Sequence, residues 1–73
     1  MKVLVQYLVE MSDGKVQDGR EAWIGRIGSG ALVFSTIYTT EQTAPNDITQ
    51  EELDYLNDLA LQTKKFKVVK TIA

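Results

Sequence analysis

Residues 47–65 read DITQEELDYLNDLALQTKK, and the start, body and end of this stretch all point to one structure, an amphipathic helix. At its start Thr49-Gln50-Glu51-Glu52 fits a capping box, in which the Thr49 hydroxyl accepts from the N–H of Glu52 and the Glu52 carboxylate reaches back to the N–H of Thr49. Ile48 before that cap and Leu53 four places after it are spaced to pack as a hydrophobic staple. Asp47, with Gln50 three residues on, is a competing cap, and Pro45 ends whatever precedes it. Along the body, steps of about 100° per residue put Leu53, Leu56 and Ala60 on one face with Leu59 at its flank. Gln50, Glu51, Asp54, Asp58, Gln62 and Lys65 gather on the other side. Acidic residues stand near the positive end of the helix dipole, and Lys64 and Lys65 near the negative end. An isolated helix of this length is marginal in water, so a sheet must cover its apolar face.

The strands are legible on both sides of it. Lys2 to Glu10 alternates, with Val3, Val5, Tyr7 and Val9 on the face expected to meet the helix, and Leu4, Gln6, Leu8 and Glu10 on the other. Ser12-Asp13-Gly14-Lys15 is a hairpin signal in which both residues of the Asp-Gly pair tolerate positive φ. Lys15 to Ile27 reads as the returning strand, with Asp18-Gly19 as a bulge carrying a glycine at positive φ or as a second turn. The same segment also admits a short helix capped at Asp18 and stopped at Gly28; Trp23 and Ile24 favour the strand. Gly28-Ser29-Gly30 is a turn, and Ala31 to Thr40 is the most strand-like stretch. In it Leu32, Phe34, Thr36 and Tyr38 share one face, and Val33, Ser35, Ile37 and Thr39 the other. Glu41 to Asn46 is a polar connection. Phe66 to Ile72 is a last strand with Phe66, Val68 and Ile72 toward the core and lysines suited to an exposed edge. The expected fold is therefore one α+β domain over residues 1–73: a three-stranded antiparallel meander, one helix packed on one sheet face, and a C-terminal strand returning to the sheet, in the order β-β-β-α-β.

Composition narrows the chemistry. With 73 residues and no cysteine, the chain sits near the lower size for a core without staples. The absence of both Cys and His removes the usual zinc, copper and haem ligands and the imidazole base of Ser-His-Asp and Cys-His nucleophiles. A net charge of −2 and a pI near 4.9 argue against a dedicated nucleic-acid binder. The first residues are too short and interrupted an apolar run for a signal peptide, no membrane-length apolar run follows, and a cytoplasmic location is expected. Gly25-Arg26-Ile27-Gly28-Ser29-Gly30 matches neither phosphate-binding fingerprint and is read as a turn. Asp13, Asp18 and Glu21 have no calcium-loop spacing, and no metal or other cofactor is expected.

What remains is a non-enzymatic interaction domain that binds and modulates or blocks another macromolecule, a format common among inhibitors of host proteins encoded by phages and mobile elements. Candidate contact residues fall in three groups. Leu4, Leu8, Val33 and Ile37 would be the apolar centre of the sheet face away from the helix. Trp23 beside Arg26 offers a partly exposed aromatic next to a cation. Glu51, Asp54 and Asp58 form an acidic helix face in which the repulsion of Asp54 and Asp58 would be relieved by a basic partner. Two alternatives follow from the same residues. Tyr7, Trp23, Phe34 and Tyr38 with Lys2, Arg20 and Arg26 could stack single-stranded bases, and the second sheet face could instead pair two copies in a structural homodimer.

Overall fold

Alternation over Lys2–Glu10 and the β-rich Val16–Arg26 segment make two long strands, β1 and β2, followed by a short strand β3 at Leu32–Ser35, a helix α1 at Gln50–Thr63 and a strand β4 at Phe66–Ile72. The structure, a computed structural model, describes residues 1–35 and 39–73. The four strands form one antiparallel sheet in the order β3-β2-β1-β4, and α1 packs against it. Within residues 15–27, Val16–Arg26 is thus strand rather than helix. Of the ten-residue strand expected after the second turn, Leu32–Ser35 is strand, and Thr39 and Thr40 are not. The carbonyl of Thr40 accepts from the N–H groups of Thr43 at 3.1 Å and Ala44 at 2.7 Å, starting a turn there. Thr36, Ile37 and Tyr38 lie outside the described residues.

Both hairpins of the meander turn in the same way. In the first, the Met11 carbonyl accepts from the Gly14 N–H at 2.9 Å and the Met11 N–H donates to Lys15 at 2.7 Å; in the second, Ile27, Gly30 and Ala31 repeat the pattern at 2.8 and 3.1 Å. Gly14 and Gly30 close these three-residue loops at φ 84° and 85°, a region that favours glycine. The hairpin expected at Asp13-Gly14 is present, with only Gly14 of the pair at positive φ; the Asp13 carboxylate accepts from the Lys15 N–H at 3.0 Å. The expected bulge is present, since Gln6 pairs with Glu21 but Leu8 with Asp18, leaving Gly19 and Arg20 opposite Tyr7. Gly19 is not at positive φ either. A Cβ there would fit tightly, 3.1 Å from both the Tyr7 carbonyl and the Val9 side chain.

The core lies between the sheet and α1. Val3 and Val5 from β1, Ala22 and Ile24 from β2, Phe66 from β4, Leu56 from α1 and Ile48 before it form one buried cluster, with Leu53, Leu59 and Ala60 packed against it. Burying each of the larger aliphatic side chains contributes roughly 1.5–3 kcal/mol. Val9 does not join them and is 47% exposed. A second bulge corrects the reading of β4: Leu4 pairs with Lys70 but Val5 with Val68, so Val69 is the extra residue. Beyond it the side-chain parity reverses, and Ile72 stands opposite Lys2 rather than on the face of Phe66 and Val68.

The connection from β3 to α1 closes one end of the sheet. Thr39 approaches Gly25 so closely that a Cβ on that glycine would meet the threonine hydroxyl at 2.9 Å. Lys2 donates to the Glu41 carbonyl. The Met1 ammonium donates to the carbonyls of Asn46 and Ile48 at 2.6 and 3.0 Å. Among the described residues no helix is long and apolar enough to cross a membrane. Because Leu56 is only 2% exposed, Leu56→Ala should lower stability by about 2–5 kcal/mol in urea denaturation, and a loss well under 1 kcal/mol would displace it from the core.

Candidate functional site

The helix start forms as its sequence dictates. Thr49 is the N-cap, its hydroxyl accepting from the Glu52 N–H at 3.2 Å while Glu52 accepts from the Thr49 N–H at 3.1 Å. Asp47, the competing cap, is used otherwise. Arg26, near the end of β2, donates through Nη1 and Nη2 to the two Glu52 carboxylate oxygens at 2.8 and 2.6 Å and through Nε to Asp47 at 3.2 Å. Its Nη1 also donates to the Gly30 carbonyl at 3.0 Å, tying in the second hairpin. The Arg26 hydrogen bond, then that of the Thr49 N–H, holds the Glu52 carboxyl at about 2, far below its usual 4.5. Hydrogen bonds to Glu52 and then Asp47 push the Arg26 guanidinium upward. Arg26 is therefore committed within the chain, and it lies on the helix side of the sheet, whereas Trp23 pairs with Leu4 on the opposite face.

The other expected contacts are dispersed. Leu4 is buried, Leu8, Val33 and Trp23 are half-buried, and Ile37 lies outside the described residues. An uncovered apolar face was the reason to expect a second copy there, and at Leu4 the chain covers that face itself. The aromatic residues do not make one platform. Tyr7, Phe34 and Phe66 cluster on the helix side, with ring centroids 5.9 Å apart for Tyr7 and Phe34 and 4.8 Å for Phe34 and Phe66. Trp23 is on the other side, and Tyr38 is outside the described residues. Glu51, Asp54 and Asp58 are exposed, and Asp54 accepts from Gln50 Nε2 at 3.0 Å. Asp18 pairs with Lys67 at 3.3 Å. Among the described residues no three carboxylates are grouped to hold a metal.

One concavity, between the helix and β3, was not anticipated from the sequence. Of the strands, α1 runs closest to β4, and a furrow opens between the helix and β3. One end is lined by Gly30, Ala31, Leu32, Glu51, Glu52 and Tyr55; the middle by Ile24, Leu32, Val33, Phe34, Tyr55, Leu56 and Leu59; and the other end by Tyr7, Leu8, Phe34, Leu59, Thr63, Lys65 and Phe66. Shared residues make the three hollows continuous. They measure about 490, 70 and 380 Å³ in that order, so the furrow is pinched under Tyr55 and suits successive side chains better than one compact ligand. Tyr55 is 59% exposed and Phe34 36%. The available signal for Tyr55 was its place one step off the apolar helix stripe; for β3 it was a strand without a charged residue.

The carboxylate of Glu52 carries a pH dependence. Its folded-state acidity is depressed, so its stabilising contribution is complete above about pH 4.5 and is lost as the pH falls toward about 2. Glu52→Gln should therefore be less stable than the native chain at neutral pH, and the gap between their urea midpoints should close across that acid window. A constant gap would show that the charge is not what matters. No family model, curated protein or solved structure matches the chain.

Proposed function

We propose that the chain is a small non-enzymatic protein-interaction domain that binds another protein through the furrow between α1 and β3 and so modulates or blocks it. The observation that carries this reading is the furrow itself. Leu32, Phe34, Tyr55 and Leu59 form a continuous apolar floor at the surface of a domain whose small core would gain from burying them. Exposed tyrosine and partly exposed phenylalanine are the side chains that dominate protein interfaces, because each buries a large area at little entropic cost. The pinched, open shape offers no water-excluding chamber for catalysis. A base-stacking sheet has less support, since the aromatic rings are divided between two faces.

The reading is tested by capture from a lysate of the source cell on the immobilised native chain, on Tyr55→Asp and on Lys67→Glu. Both changed side chains are exposed, so each variant should keep the native circular dichroism. Proteins retained by the native chain should fall by about tenfold or more on Tyr55→Asp and persist on Lys67→Glu. Retention that is indifferent to Tyr55→Asp would place the interface elsewhere and overturn the reading.

A further inference from the structure

The two edges of the sheet are built differently. Edge strand β4 carries Lys67 and Lys70 and is bent by the bulge at Val69, features that discourage another strand from pairing. Edge strand β3, Leu-Val-Phe-Ser, has neither charge nor bulge and borders the furrow. Its backbone polarity follows from the second hairpin. The Ile27 N–H donates to the Ala31 carbonyl, so the antiparallel alternation makes Gly25 and Val33 a hydrogen-bonded pair and points the N–H and C=O of Leu32 and Phe34 away from β2. The side chains of those same two residues line the furrow. Thr39 lies against Gly25, on the face away from the helix, and among the described residues no backbone hydrogen bond reaches the outward groups of Leu32 and Phe34.

Resting on the furrow reading, we infer that β3 accepts an extended segment of the partner protein as an added strand, with alternate apolar side chains entering the furrow and a basic side chain meeting Glu51. Charge complementarity selects this occupant. Glu51 lines the furrow and is exposed, Asp58 stands nearly one turn beyond Tyr55 along the same side of the helix, and the nearest cation at that end, Arg26, is already bound to Glu52 and Asp47. A second copy of the chain fits less well, because it offers either β4, which is guarded against pairing, or its own β3, which brings with it a second Glu51 and Asp58 on a chain of net charge −2. Backbone hydrogen bonds would supply affinity, and the two wide ends of the furrow would read side chains on alternate positions.

The test is selection of a displayed library of random peptides of about six residues on the full chain, followed by titration of the recovered peptides with blocked ends. Recovered sequences should alternate β-branched or aromatic residues with polar ones and carry Lys or Arg. Glu51→Lys should weaken them about fivefold. Leu32→Pro, which removes an outward N–H and no bond to β2, should weaken them about tenfold more than Leu32→Ala. Should Leu32→Pro lose its fold, exchange of the Leu32 and Phe34 amides in the native chain decides, slowing when peptide is bound. Apolar residues at helical spacing, acidic peptides, no enrichment, or amides whose exchange is unchanged would each overturn strand addition. If lysate capture still depends on Tyr55 under any of those outcomes, the furrow reading stands without it; if capture ignores Tyr55, both fall.

Discussion

One carboxylate joins the two layers of this domain. Glu52 closes the capping box at the start of α1 and, with the same group, receives both arms of the Arg26 fork from β2. A helix of this length has little stability alone, so its position must come from the sheet, and the apolar contacts that hold it are not directional. The bidentate pair supplies the direction. It fixes the N-terminal end of the helix at the second hairpin, while the left-handed cap at Lys64, φ 56°, turns the chain directly into β4 at the other end. The furrow exists because the helix is pinned at these two places and runs nearer β4 than β3.

How much of this could be read from residues depends on the range of the interaction. The cap, the apolar helix stripe and both glycine turns are local: the spacing of Thr49 and Glu52 was enough to place the cap, and Gly14 and Gly30 to place the turns. The order β-β-β-α-β was readable for the same reason. Bulges were less legible, because they are properties of a pair of strands: nothing within Phe66–Ile72 says that Val69 will be skipped by β1 and that Ile72 will change face. The Arg26–Glu52 pair joins residues 26 positions apart, and either residue read alone is an ordinary surface charge. The furrow was invisible for a related reason: Tyr55 and Phe34 are neighbours only once the helix has chosen its side of the sheet.

The domain is therefore asymmetric in its protection. Its face away from the helix is shielded around Leu4 and Gly25, and one sheet edge bears lysines and a bulge. On the helix side, the opposite edge keeps backbone that is unpaired among the described residues beside aromatic surface. Such an arrangement is costly for a free protein, because an open apolar edge invites indiscriminate pairing. The acidic rim of Glu51, Asp54 and Asp58 offsets part of that risk by repelling other copies of the same acidic chain.

The position of β1 governs how the chain is assembled. It is a central strand flanked by β2, which follows it after a short loop, and by β4, which pairs Ile72 with Lys2 across nearly the whole sequence. During synthesis the meander has all its residues long before β4 emerges, and until then β1 presents an open edge that includes Val3, Leu4 and Val5. The native sheet thus closes late, and its closure is cooperative with the docking of the helix that leads into β4. In the mature domain the reverse event, detachment of β4 together with the helix that leads into it, would uncover the β1 edge that includes Val3, Leu4 and Val5. Opening at that seam would turn a central strand into an edge of the kind that pairs between chains.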